Sequence, residues 1–235
     1  MENVAREDAP LSVGSMNWMN GFPAYSLWWL LIHYDWYMGT ADFSYLMEQK
    51  EYMKILLSNL LTLVDADGVE HLPAKFLDWP TFDNGTAQHA GMQGLLKIAL
   101  ERGAYLMEVM EEKELANLCT ETAQRMKKHA PVTGGSKPAG AMLVLADLAD
   151  AVQTNEELIA VNGAHGFSTF LGYYILKAKA LAGDYQGALN SMREYWGGML
   201  KMGATTFWED FNLDWMNNAA PIDEITLGGS GSRCY

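Results

Sequence analysis

Residues 167–201, FSTFLGYYILKAKALAGDYQGALNSMREYWGGMLK, decide the fold class. Residues 167–182 and 185–201 each read as a helix, and Gly183-Asp184 between them leaves room only for a tight turn. The same unit recurs along the chain. Pro23 opens a first helix running to about Gly39, a position where proline is tolerated. Residues 43–64 read as a second helix, with Tyr45, Leu46, Tyr52, Ile55, Leu56, Leu60 and Leu63 at helical spacing. Asp65-Ala66-Asp67-Gly68 stops it, and residues 65–84 form a long loop carrying Phe76, Leu77, Asp78, Trp79 and Pro80. Loops of that length in compact domains are commonly functional. A third helix is expected from about Ala87 to Met110 and a fourth over 113–129. After the turn at Gly134-Gly135-Ser136, a fifth runs from Pro138 to Ala151, with a short sixth around 155–161. Residues 203–235 read as an irregular tail.

That is about eight helices in sequential hairpins, with no alternating β pattern and no composition break, hence one all-α domain over residues 1–235. Paired helices admit a bundle, a solenoid or an α/α barrel. In a barrel the helices alternate between an inner and an outer ring, and loops at one end build the site. The acidic, aromatic loops of this chain suit that arrangement.

Composition removes several classes. Hydrophobic residues make up 49% of the 235, enough for a real core. No apolar run approaches the ~20 residues needed to span a membrane. The formal net charge is −13, and the few basic residues are scattered, with Lys127-Lys128 the one adjacent pair. Nucleic-acid binding needs a concentrated basic face, so neither nucleic acid nor membrane is expected as a partner. Two cysteines, Cys119 and Cys234, make no disulfide scaffold. The five histidines show no metal-ligand spacing, and no phosphate-binding or dinucleotide fingerprint is present, so neither metal nor cofactor is expected. The oligomeric state is left open.

The aromatic content, 8 Trp, 11 Tyr and 8 Phe, is high, and many of these rings sit in loops or at helix starts beside carboxylates. An aromatic-rich helical core would account for them. So would a carbohydrate cleft, where sugar C–H faces stack on rings and carboxylates accept hydrogen bonds from hydroxyls. In residues 203–210, GATTFWED, Glu209 lies beside Trp208 and close to Phe211. Such a carboxylate is expected to be partly desolvated, which raises its proton affinity and suits a general base acting on water. A helix-capping or surface acid is the other reading of the same residue.

The GATTFWED stretch resembles the GATT-x-WE segment of bacterial α-L-rhamnosidases of glycoside hydrolase family 78. Three more segments match that family in order: Gly21-Phe22-Pro23-Ala24-Tyr25-Ser26-Leu27-Trp28-Trp29, Phe76-Leu77-Asp78-Trp79 and Pro221-Ile222-Asp223-Glu224. The resemblance spans essentially the whole chain. It implies an (α/α)6 toroid of six helical hairpins, of which about eight of twelve helices are present, and inverting hydrolysis of terminal α-L-rhamnosyl residues from glycosides. It places the general base on Glu209, sugar binding on Trp79, and a pocket role on Trp28 or Trp29 at the aromatic helix start; apart from the resemblance, Asp78 is a candidate for binding sugar hydroxyls and Trp208 for binding the sugar.

The family also carries an upstream segment, roughly D-G-x-x-R-(D/E)-R-x-x-W-x-G-D, that supplies the general acid. Nothing in this sequence matches it; Arg6-Glu7-Asp8 lacks the second arginine, the tryptophan and the Gly-Asp end. The chain is therefore expected to be an internal piece of such a catalytic domain, or a truncated product, inactive by itself. A non-catalytic sugar-binding module and a different six-hairpin glycosidase are the alternatives.

Overall fold

The computed structural model describes residues 23–217. Gly21, Phe22, Trp18, Cys234 and the matching segment Pro221-Ile222-Asp223-Glu224 lie outside the described residues. Nine α-helices follow one another among the described residues: α1 Ala24–Thr40, α2 Phe43–Glu48, α3 Lys50–Leu61, α4 Gly85–Val109, α5 Lys113–Met126, α6 Lys137–Leu145, α7 Ala151–Thr154, α8 Gly172–Leu181 and α9 Tyr185–Lys201. α7 continues as a π turn over Asn155–Ile159. No strand forms among these residues; the β features are an isolated bridge between Val64 and Glu70 and a bridge residue at Trp208.

The starts of these helices are written in their caps. Asp42, Asn84, Ser136, Asp150 and Asp184 each accept a backbone N–H of the first turn with their side chain. Two kinds of helix alternate. α4 and α6 bury nearly every side chain along most of their length, whereas α3, α5 and α9 bury one face. A helix that is apolar all round belongs inside, and a one-faced helix belongs at the surface. α1, α4, α6 and α8 accordingly pack side by side as an inner row, and α3, α5 and α9 lie behind them. α4 and α6 approach closely at Gly94, where an added Cβ would sit 2.7 Å from the backbone of Met142. The chain is thus an all-α arc of four helical hairpins, a part of a helical toroid.

The connections divide by end. Each inner-to-outer turn is short and contains one residue with positive φ: Ala41, Glu111, Asp147 and Gly183. The outer-to-inner connections, residues 62–84, 127–136 and 160–171, are long and lie at the N-terminal ends of α4, α6 and α8, and the segment after α9 continues the series. The 62–84 loop is anchored rather than loose. Buried Glu70 accepts from Leu72 N at 2.8 Å and lies 2.5 Å from His89 Nδ1. Gln93 of α4 accepts from Glu70 N and donates to Gly68 O.

Several expected boundaries move. The helix expected over 43–64 is broken at Gln49 into α2 and α3. The fifth ends at Leu145 because Asp147 turns left-handed at φ 53°. The helix expected from Phe167 is regular only from Gly172; Phe167 packs into the core, and Ser168 opens the turn that leads into α8, its carbonyl accepting from Gly172 N and its hydroxyl from Leu171 N. The tail is not wholly irregular, since Phe211 and Leu213 are buried beside Tyr195 and Met199, and Leu213–Met216 forms a 3-10 turn.

Candidate active site

The long-loop end of the arc brings two distant segments together. In the 62–84 loop, Asp78 is extended and caps a single 3-10 turn, Trp79–Thr81, through its own carboxylate and the Thr81 hydroxyl. Pro80 fits that turn because it has no N–H to lose. Gln88 of α4 donates to the carbonyls of Thr81 and Phe82 and fastens the turn to the inner row. Trp79 is thereby presented at the start of a fixed turn. In the second segment, Gly203 leaves α9 at φ +87°, and the chain runs through Glu209 to Asn212, whose side chain caps the turn at Leu213–Met216.

A hydrogen bond joins the two. Trp79 Nε1 donates to Glu209 Oε1 at 3.1 Å, across 130 residues of sequence. The ring that holds the Glu209 carboxylate is therefore Trp79, from the other segment, whereas the neighbouring Trp208 lies against Phe211 with centroids 5.7 Å apart. The backbone around Glu209 is itself held: Thr169 Oγ1 donates to Trp208 O at 2.5 Å, and Tyr195 Oη donates to Phe211 O at 3.0 Å.

Beside this pair lies a cavity of about 220 Å³, lined by Trp79, Phe167, Tyr195, Phe211, Trp215 and one acid, Asp210. Aromatic walls with a carboxyl among them are what a sugar ring would meet. Burial pushes the Asp210 carboxyl above the usual carboxylate range, and the Glu209 charge adds to the effect. Asp78 is 7% exposed; burial raises it too, with Asp210 contributing, against the Ser168 hydroxyl and the Trp79 and Leu171 N–H groups that favour its charged form.

These shifts have a measurable consequence. A carboxyl whose folded-state pKa lies above its unfolded value contributes stability that is complete below the unfolded pKa and is lost as pH rises through the folded one. Ionised Asp210 and Asp78 thus oppose folding around neutral pH. Asp210→Asn is expected to unfold at a higher temperature than the parent near neutral pH, with the two curves converging below about pH 4. Thermal denaturation across that range checks this, and an unchanged or lower midpoint at neutral pH would contradict it.

Of the residues singled out in the sequence, Trp79, Asp78, Glu209 and Trp208 come together here. Trp28 and Trp29 do not reach Glu209. Trp28 is 7% exposed and packs on Phe170 and Tyr174, at the border of the 160–171 loop. Trp29 faces away, against His33 and Tyr52 of α3, so its place is in the packing between inner and outer rows. Thr169 and Tyr195 carried no sequence signal: one is a loop threonine, the other a helical tyrosine. His89 and His129 meet through their Nε2 atoms at 3.0 Å, beside Glu70 rather than beside the Trp79–Glu209 pair. No group of three or more His, Cys, Asp or Glu among the described residues is placed to hold a metal ion, and no helix is long and apolar enough to cross a membrane.

An arc of helical hairpins whose long-loop end gathers rings and carboxylates is glycoside hydrolase-like in architecture. Comparison with solved structures sharpens that class. The chain is similar to a rhamnosidase from Klebsiella oxytoca with rhamnose bound, at 26% identity and a TM-score of 0.66, over 82% of this chain and 41% of that one. It is also similar in fold to a GH78 family rhamnosidase of Bacillus sp. GL1, at 17% identity and a TM-score of 0.73, over 88% of this chain and 25% of that one. The resemblance to family 78 rhamnosidases thus holds for most of this chain, which spans well under half the length of either structure. No family model and no curated protein matches the sequence.

Proposed function

We propose that residues 1–235 are part of the catalytic domain of an inverting α-L-rhamnosidase, with Glu209 as general base. The observation that carries this reading is the Trp79 Nε1–Glu209 Oε1 hydrogen bond at 3.1 Å, which joins two of the segments that resemble family 78. It fixes a carboxylate oxygen at the indole edge, beside a sugar-sized, ring-lined cavity that Trp79 and the adjoining Asp210 both line.

The chemistry follows from those groups. Glu209 takes a proton from a water molecule as that water attacks the anomeric carbon. The new C–O bond forms on the face opposite the leaving oxygen, the glycosidic C–O bond breaks, and a second carboxyl protonates the departing oxygen. An inverting pair stands roughly 6.5–9.5 Å apart to admit the water. We assign the second carboxyl to a part of the protein outside these residues, because no stretch of the sequence matches the acid-bearing segment. Trp79, Asp78 and Trp208 serve the sugar: Trp79 by its ring face, Asp78 by holding the turn that presents Trp79, and Trp208 through the segment it shares with Glu209.

A hydrolysis panel tests the substrate class. The complete protein is expected to cleave aryl α-L-rhamnosides faster than aryl glucosides or unsaturated uronides. The reverse order would favour a different six-hairpin glycosidase. Rhamnose binding without cleavage would favour a sugar-binding module.

A further inference from the structure

We propose that Thr169 and Tyr195 are positioning residues that set the place of the Glu209 carboxylate by clamping the backbone on either side of it. This deepens the reading of Glu209 as the base and rests on it for its functional meaning. The geometry is bilateral. Thr169 Oγ1, from the 160–171 loop, donates to the carbonyl just before Glu209, that of Trp208, at 2.5 Å. Tyr195 Oη, from α9, donates to the carbonyl just after the Glu209-Asp210 pair, that of Phe211, at 3.0 Å. The two hydroxyls also lie beside each other, so the loop and the helix act on the segment as one unit.

The segment needs such a hold. Ala204 N still bonds Met199 O of α9, and regular structure resumes only at the turn capped by Asn212, so Glu209 sits in the non-helical run between. The anchors are firm. Tyr195 is 1% exposed and packs edge-on against Phe211, while Phe167 and Ser168, just before Thr169, are buried. A backbone carbonyl held at each side fixes where the side chain between them emerges. A general base misplaced by ~1 Å costs on the order of 10²-fold in rate, so such a clamp has a direct catalytic use. Neither hydroxyl lies on the Glu209 carboxylate itself in this arrangement, which separates positioning from catalysis.

The indole N–H of Trp79 reports the result. In the 235-residue chain with 15N-labelled tryptophan, its 1H–15N peak is assigned with Trp79→Phe. Glu209→Ala marks the position of that peak when the acceptor is gone. Thr169→Val and Tyr195→Phe, which keep shape and lose only the hydroxyl, are each expected to move the Trp79 peak toward the Glu209→Ala position. The Trp28, Trp29 and Trp36 peaks of α1 should stay in place, and Thr169→Ser should restore the parent spectrum. An unmoved Trp79 peak in either hydroxyl-deletion variant would overturn the clamp. Loss of the α1 peaks together with Trp79 would overturn it as well, because the hydroxyls would then support the whole fold. The spectrum is independent of turnover, so failure of the base assignment would show separately, as undiminished hydrolysis in Glu209→Gln.

Discussion

Glu209→Gln in the complete protein is expected to lower turnover of aryl α-L-rhamnosides by about 10²–10⁴-fold, the usual worth of a general base. The substitution keeps the side chain's length and leaves Oε1 as an acceptor for the Trp79 indole, so the 3.1 Å contact and the local fold persist. What disappears is the capacity to take a proton from water. The loss is therefore expected in kcat, with KM changed little, because an amide occupies the same space in the ground state. Steady-state kinetics with a thermal-melt control separates this from misfolding. Turnover close to that of the parent, in a folded variant, would end the assignment of Glu209 as base.

Trp79 carries the second large effect, through two distinct contributions. Trp79→Phe keeps an aromatic face and removes the indole donor to Glu209. A hydrogen bond to a charged group is worth about 1.5–3 kcal/mol, which corresponds to roughly 10- to 150-fold in rate if the bond matters chiefly for holding the base. That loss is expected mostly in kcat. Trp79→Ala removes the ring as well, together with its edge-on contact to Phe76, and is expected to raise KM in addition. Equal kinetics for the two variants would mean that the indole N–H has no role, and an unchanged KM in the alanine variant would remove the ring from the sugar site.

The helical periodicity made the architecture legible. Helical spacing locates α1, α4, α5 and α9 to within a few residues, with Pro23 at the start of α1 and Asn84 and Asp184 capping α4 and α9, because caps and 3.6-residue spacing are local properties. The misplaced boundaries lie where non-local forces decide. Asp147 ends α6 in a left-handed conformation that its residue type does not announce, and neither glycine nor proline marks the break at Gln49. Phe167 has helical spacing but belongs to a loop, since a ring packed into the core from a loop follows the same pattern as a ring on a helix face.

The site was legible only in part, and for a different reason. Trp79 and Glu209 were named from family-like segments, and no local rule joins residues 130 apart; their contact exists because both loops lie at the same end of the inner helices. Desolvation is expected from the sequence at Glu209; the carboxyls that burial raises are Asp210 beside it and Asp78 from the other segment. Trp29, the third aromatic residue of α1, packs between the inner and outer rows because its place on the helix faces α3. Thr169 and Tyr195 act through backbone carbonyls, and any segment offers such acceptors, so their sequence context holds no trace of the task.

The central claim is that Glu209 directs water to the face of the sugar opposite the leaving group. The stereochemistry of the first product tests it most directly. The complete protein is mixed with an aryl α-L-rhamnoside, and the anomeric proton of released rhamnose is followed by NMR before mutarotation. The account predicts that β-L-rhamnose appears first and relaxes to the equilibrium mixture. Release of α-L-rhamnose first would mean retention through a covalent intermediate, and release of no rhamnose at all would remove the hydrolytic reading; either result would contradict the account.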